Sequence, residues 1–427
     1  MSKRAVFLTL LLACLWSHPA VSAEMTVSAE PGALVAALKA SAPGDTLRLG
    51  MGTHAGPIEI DRPLTILGDR KALILGNGLG SVVTIKAAGV TIEGVSVEGS
   101  GKKLDQIDAG IKVVVGADKV RLANNRLSGN LIGIDMQGGK DALIEGNTIA
   151  GRTDLHRAER GPGIYVWNSP GITVSGNEIS GGSDGIFITT SHHAIYRDNR
   201  MHDVRFAIHS MYTNDIKVSG NRSTGNDMGF AFMYSRQVQA TNNLSSGDRT
   251  HGIFLNYVTD AKLAHNEIRD GGEKCLFVYN VNKAAITANS FEGCDIGVHF
   301  TGGSENVTMT GNAFIHDRTE VKYVGSRWLE WSLKGRGNYW AGHVAFDVNR
   351  DGIADSPYRP NDSIDRMTWS QPTSRLLLGS PAVQMIRWAQ SRFPGLLPGG
   401  VIDTHPLMSP AGAGLETTEI APKGGTP

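Results

Sequence analysis

Three methionines and two histidines in the middle of this chain sit on a shared rhythm: His209, Met211, Met228, Met233 and His251. The step from Met211 to Met233 is nearly the same as that from Met228 to His251. Thioether sulfur is a soft donor that selects Cu(I) over zinc or calcium, and imidazole accepts either copper state. Those residue types therefore point to copper binding. A second reading of the same stretch is apolar. Tyr212, Tyr234, Tyr257 and Tyr279 follow a similar rhythm, and with the methionines between them they make a docking surface for a partner. His192 and His193 read as solvated residues on a turn.

A separate candidate lies further on. Asp347, Asn349 and Asp351 occupy the first, third and fifth positions of a run in which Gly352 is sixth and Asp355 ninth. Oxygen ligands in that pattern resemble a Ca²⁺ loop, but the twelfth position is Tyr358, so the bidentate acid is missing. The segment reads as a weak calcium site or as an Asx-rich turn.

The elements that place these residues follow from one repeat. Asn125, Asn147, Asn177, Asn199, Asn221, Asn243, Asn266, Asn289 and Asn312 recur at a nearly constant step, with one longer interval between Asn147 and Asn177. Eight residues after most of them come a small residue and an apolar one, as in Gly133-Ile134, Gly185-Ile186, Ala207-Ile208 and Gly229-Phe230. Each repeat also carries runs of three to five alternating apolar residues such as Ile172-Thr173-Val174. Runs this short, rich in Val, Ile, Thr and Phe, are strands rather than helices. A fixed period with strands and turns inside it means a solenoid. A leucine-rich horseshoe needs a Leu-x-x-Leu-x-Leu frame and a helical arc, and neither is visible.

The expected fold is therefore all-β: a right-handed parallel β-helix with rungs of about 22 residues. About a dozen rungs make a rod roughly 55 Å long at ~4.8 Å each. The asparagines stack from rung to rung and satisfy turn backbone. Alternation from the Gly-Ile position sends Ile208, Ser210, Phe230 and Phe232 inward, and His209, Met211, Ala231 and Met233 outward, with His299 three rungs beyond His209. Met228 and His251 fall just before their strands. Ser210 is a polar residue at an inward position and is expected to loosen its rung. Two insertions, at Gly101 to Asp108 and Arg152 to Glu159, leave the same edge.

Expected segments are an export signal over 1–23, an N-terminal cap over 24–44, the β-helix over 45–325, a capping and docking region over 326–410, and a disordered tail over 411–427. Lys3 and Arg4 precede an apolar stretch too short to span a bilayer, and Val21-Ser22-Ala23 offers a cleavage site. A lipoprotein signal acylated on Cys14 is the alternative. Pro31 to Ala40 reads as a helix covering the open end of the rod, with Leu34, Val35 and Leu38 on one face. Trp328, Trp331, Tyr339 and Trp340 are expected to close the other end. Ser380-Pro381 opens a further helix to about Phe393, on which Ile386 and Trp388 offer a docking surface.

The balance of 41 Lys and Arg against 41 Asp and Glu gives no reason to expect nucleic acid. Of three cysteines, Cys275 reads as a small core residue and Cys294 as a turn residue. A disulfide between them is feasible but not comfortable. Many β-helices cleave or epimerise acidic polysaccharides. Asp154, His156, Arg157, Glu159 and Arg160 on the second insertion offer groups for a lyase or C5-epimerase. No rung repeats an acid pair beside them, so an enzyme is the lesser reading.

Several unusual strings go beyond a generic β-helix: Ala207-Ile208-His209-Ser210-Met211-Tyr212-Thr213-Asn214, Gly247-Asp248-Arg249-Thr250-His251-Gly252, Gly272-Glu273-Lys274-Cys275, Phe291-Glu292-Gly293-Cys294, Gly297-Val298-His299-Phe300, Asn338-Tyr339-Trp340 and Ser380-Pro381-Ala382-Val383-Gln384. In these strings the chain resembles the NosD family, over nearly all of its mature length. The resemblance implies a periplasmic protein held at the inner membrane through its partners. Those partners would be the membrane subunit and cytoplasmic ATPase of an ABC-type complex, nitrous oxide reductase and a copper chaperone. The implied function is help in building the copper sites of the reductase, with copper as a transient cargo and no catalysis. His209 and Met211 fall within one of the shared strings.

Overall fold

A computed structural model describes residues 22–393 and 399–410. The export signal and the tail expected over 411–427 lie outside the described residues, apart from Ser22 and Ala23. Three parallel sheets of 13, 12 and 13 strands dominate the molecule. Each turn of the chain gives one strand to each sheet, and every strand pairs with those one turn before and after it. The chain is thus a right-handed parallel β-helix. We call the sheets A, B and C, with A beginning at Glu24–Val27, B at Gly52–Ala55 and C at Ile58–Ile60. Pairing runs from Glu24, which aligns with Thr46, to Trp340, which aligns with Phe314. The helical rod is therefore longer at both ends than the expected 45–325.

Inward residues of all three sheets form one continuous core, with Ile66, Ile92, Leu122, Ile144, Val174 and Tyr196 in a single buried column of sheet A. Polar ladders hold the corners. Each ladder asparagine from Asn125 to Asn312 donates both its backbone N–H and its side-chain Nδ2 to Oδ1 of the next, at 2.9–3.1 Å. Nδ2 also reaches a carbonyl of the preceding turn, as Asn221 does to Tyr196 at 2.9 Å. These amides are buried, and in a dry corner an unmade bond would cost its full desolvation. The corner needs a left-handed residue before the asparagine. Asn124, Gly146, Gly176, Asp198, Gly220 and Asn242 fill that place with φ from 54° to 65°, conformations that Gly, Asn and Asp adopt most easily.

A second corner ladder carries Asn226, whose Oδ1 accepts from Val204 N–H, and Asp248, whose Oδ1 accepts from Asn226 N–H. The third holds Ser169, Ser191, Thr213 and Ser235. Ser210 belongs with this one: its hydroxyl pairs with Thr213 at 2.6 Å, and Thr213 with Ser235 at 3.0 Å. An inward serine therefore ties the rung rather than loosening it.

Helix α1 (Ala33–Ala40) closes the first turn with Leu34 buried and Leu38 against the core, while Val35 faces solvent. At the far end Phe314 stacks on Trp340 at 4.2 Å, with Trp331 buried beside them and Trp328 exposed. Asp403 ends the asparagine ladder. Its carboxylate accepts from Asn338 N–H and from Trp340 Nε1, at 2.6 and 2.8 Å. Beyond the rod lie α2 (Ser363–Ser370) and α3 (Pro381–Arg392), with the Ser380 side chain capping α3 through Val383 N–H. No helix among the described residues is long and apolar enough to cross a membrane.

Replacing Asn221 by Ala strands the Asn199 N–H and Nδ2, and is expected to cost about 1–3 kcal/mol per group left unpaired. Urea denaturation measures it; a midpoint equal to wild type would mean that the ladder is not holding the corner.

Candidate metal and docking face

The outer face of sheet C carries the candidate residues, in columns fixed by register. Phe206, Met228, His251 and Lys274 align in one column. Tyr165, Phe187, His209, Ala231, Phe254, Phe277 and His299 align in a second. Between the columns each strand passes a tight position, usually glycine. At Gly229 a Cβ would stand 2.4 Å from the Gly252 carbonyl oxygen. The close packing there lets residues three apart on one strand meet. Phe206 stacks on His209 at 4.4 Å, and His251 meets Phe254 edge-on at 5.5 Å. Met228 holds the same place over Ala231, which is fully buried although it leaves the outer side of the strand.

The two columns thus form a ribbon of aromatic, imidazole and sulfur groups outside the main core. His209 is sandwiched between Phe187 at 4.8 Å and Phe206, and is only 8% exposed. Its Nδ1 faces Asp184 Oδ2 at 3.1 Å, and Asp184 is clamped by both arms of Arg205 at 2.8 Å. Burial pushes the Asp184 carboxyl up, but hydrogen bonds from His209 and Arg205, with their charges, bring it below the usual carboxylate range. In a neutral ring, donation from Nδ1 to this carboxylate leaves the lone pair on Nε2. Nε2 is buried and has no protein partner. A carboxylate behind an imidazole whose far nitrogen is free is how metal-binding histidines are held.

His251, also 8% exposed, has a buried Nδ1 without a partner. Burial pushes its pKa down, with Lys274 adding to the effect. His299 continues the ribbon, stacked on Phe277 at 4.6 Å. Burial first, then Lys322, Lys274 and His251, push it down to about 4. It lies four rungs beyond His209, not three, because Ala231, Phe254 and Phe277 intervene.

The five candidate donors do not converge on one point. Met211 and Met233 share a third column with Asn256 and Tyr279, five positions along the strand from Met228, or about 16 Å. They are half-buried beside the tyrosines. Tyr212, Tyr234 and Tyr257 stack at 5.2 and 5.3 Å and are 54%, 43% and 48% exposed. All three have φ between 51° and 53°, a left-handed conformation that is costly for a bulky residue. Tyr279 is not the fourth of this column. The rung there is one residue longer, so Tyr279 aligns with Asn256, and it meets Tyr257 edge-on at 5.7 Å.

Elsewhere the candidates part. In the expected calcium loop Asp347 accepts from Asp351 and Gly352 N–H, Asp351 from Ile353 N–H, and Asp355 from Val348 N–H. These are the bonds of an Asx-rich turn. On the second insertion Asp154 pairs with Arg152 and lies 4.0 Å from Lys102 on the first. Ile107 and Leu155 from the two insertions, together with Tyr165 at the start of the ribbon, pack on Ala109, Leu131 and Ile132. On α3, Met385, Ile386 and Trp388 are 67%, 42% and 59% exposed, while Val383 is buried. Cys275 and Cys294 are joined by a disulfide, in place of the expected core thiol. Their turns are adjacent, and a Cα separation of 5.7 Å suits the bond.

Comparison with known proteins agrees with the family resemblance. Residues 149–344 match the family described as periplasmic copper-binding protein (NosD). A probable ABC transporter binding protein NosD from Pseudomonas aeruginosa is 38% identical over 90% of this chain and 92% of its own. One of the same name from Stutzerimonas stutzeri is 36% identical over 84% and 86%. The chain belongs to the NosD family. The family is described as periplasmic, and these relatives are named as transporter binding proteins rather than enzymes. The A-module of a mannuronan C-5 epimerase from Azotobacter vinelandii has a TM-score of 0.51 at 13% identity, covering 72% of this chain and 91% of its own. An alginate lyase from Paenibacillus has 0.50 at 19%, covering 60% and 97%. At that identity they share the fold alone with this NosD protein.

Sequence reasoning missed Asp184 and Arg205, which orient His209. The signal was present, since Asp184 occupies the repeat position of Phe206, Met228 and His251.

A histidine whose folded pKa lies below its ordinary value of 6.5 binds fewer protons when folded. Its contribution to stability is whole above pH 6.5 and is lost as pH falls towards 4. His299→Phe should flatten that part of the curve of denaturation midpoint against pH. An unaltered slope would remove the assignment.

Proposed function

We propose that this protein is the periplasmic component of an ABC-type complex and carries Cu(I) as cargo for assembly of the copper sites of nitrous oxide reductase. The observation that supports this most directly is the unpartnered, buried Nε2 of His209, held by Asp184 and Arg205. Met228 stands one rung further on, and His251, with its own unpartnered Nδ1, one rung beyond that. Adjacent rungs are ~4.8 Å apart, so Met228 lies on the rung between the two rings, while the rings themselves are too far apart to hold one ion together. Soft sulfur between two imidazoles suits Cu(I), which accepts two or three ligands and exchanges them readily. The ribbon is thus a path of alternating donors along which an ion moves by exchange, received from a copper chaperone and released to the reductase.

The tyrosine column with Met211 and Met233 then serves as a docking strip for a protein partner. The exposed face of α3, with Met385, Ile386 and Trp388, serves as the contact with the membrane subunit, whose ATPase lies on the other side of the membrane. A polysaccharide lyase or epimerase reading has no observation of its own beyond the fold.

Anaerobic titration of the full chain with Cu(I) against a chromogenic chelator tests the path. His209→Phe keeps the stack and Met228→Leu keeps the volume, and each is expected to weaken binding at least about tenfold. Asp184→Asn should weaken it by roughly 10–100-fold through the ring it orients. Equal affinity in all four proteins would end the proposal. Ile386→Glu is expected to leave Cu(I) affinity unchanged and to abolish co-purification with the membrane ATPase complex. Retention of the complex would place the contact elsewhere.

A further inference from the structure

The Cys275–Cys294 disulfide stands at a corner with features that a staple does not require. Cys294 occupies the place in the second corner ladder that Asn226 and Asp248 hold on earlier turns. Asp317 follows it by one turn. Asp317 Oδ1 accepts from Cys294 N–H at 2.9 Å, as Asp248 Oδ1 accepts from Asn226 N–H at 2.8 Å. The two acids differ in their second oxygen. Asp248 Oδ2 accepts from the Ser245 hydroxyl. Asp317 Oδ2 is buried with no partner, while Oδ1, the oxygen that accepts from Cys294 N–H, lies 3.7 Å from Cys275 Sγ. Both sulfurs and a carboxylate oxygen lie within 4.8 Å of one another.

Both cysteines are buried, but Cys294 borders an opening. Gly271 packs against Cys294 without a side chain: a Cβ there would stand 2.5 Å from the Cys294 sulfur. Outside lies an open cavity of about 480 Å³ lined by Gly271, Gly272, Cys294, Arg249, His316 and Arg318. Glu273 and Asp295 also border it, and Arg249 and Arg318 pair with Asp227 and Asp295.

We propose that Cys275–Cys294 is a thiol–disulfide exchange centre that reacts with a dithiol entering by this cavity, with Asp317 as proton donor to the departing Cys275 sulfur. The incoming thiolate attacks Cys294 Sγ. A new S–S bond forms to Cys294, the Cys275–Cys294 bond breaks, and its electron pair goes to Cys275 Sγ, which takes the Asp317 proton. The second thiol of the reagent then displaces Cys294 sulfur, passes it a proton and closes the reagent's own disulfide. The protein disulfide is reduced to two thiols, one dithiol is oxidised, and Asp317 recovers its proton from water. Burial, opposed by the Cys294 N–H and reinforced by Glu320 and Glu292, pushes the Asp317 carboxyl up to about 8, so the proton is present at neutral pH.

The test is reduction of the folded full chain by dithiothreitol, read as alkylated cysteines by mass. The wild-type rate at pH 7 is expected to rise in proportion to reagent and to exceed the rate of global unfolding measured by hydrogen exchange. Asp317→Asn keeps an oxygen for the Cys294 N–H but has no acid proton, and should slow reduction at pH 7 at least about tenfold. That gap should close above pH 8, where the wild-type carboxyl has lost its proton. Asp248→Asn, altered at the equivalent place three turns earlier, should react like wild type. A rate independent of reagent and equal to unfolding would make the bond a sealed staple and overturn the proposal. Equal rates for wild type and Asp317→Asn at pH 7 would do the same.

Discussion

Stacking of identical amides at one corner is the constraint on which this structure depends. A parallel sheet has no hairpin to set its register, so something else must fix where each turn of chain lies over the last. Here a buried asparagine commits its side chain and its backbone N–H to the next asparagine. A slip by one residue would put a neighbour with the wrong groups into a dry corner. Every column on the outside inherits its alignment from this inner one. The imidazoles and sulfurs of sheet C can be neighbours because amides on another side of the rod are.

That dependence explains what was legible in the sequence. The nearly constant step between asparagines carries the fold, since few architectures repeat short strands at that interval. It also brings Met211 beside Met233, and Met228 beside His251. Tyr279 shows the limit. Counted from Tyr257 it falls on the same step that joins Tyr212 to Tyr234, but the structure aligns it with Asn256 instead. One added residue moves a side chain to the next column, and a spacing count cannot tell which member of the turn was added.

Exposure was less legible than direction. Alternation says correctly that His209 leaves the outer side of its strand, but not that Phe187 and Phe206 close over it. That burial comes from a second column reached through a tight glycine position, and strand periodicity contains no such convergence. Ser210 failed for the converse reason. Counted alone it is a polar intrusion; beside Thr213 and Ser235 it is one link of a hydroxyl chain. The disulfide likewise needed the detailed geometry of a corner, which sequence separation does not give.

The amide chain along the corner runs one way. Each member donates forward, so the last one, Asn338, is left with donors and no further asparagine to receive them. The acceptor is a carboxylate, Asp403, contributed by a segment 65 residues downstream in sequence. As the polypeptide emerges N-terminus first, the coils are ready to stack long before that clasp arrives. The final coil can lock only when the segment that carries Asp403 has folded back onto it, so the far end of the rod is fastened from outside the repeat.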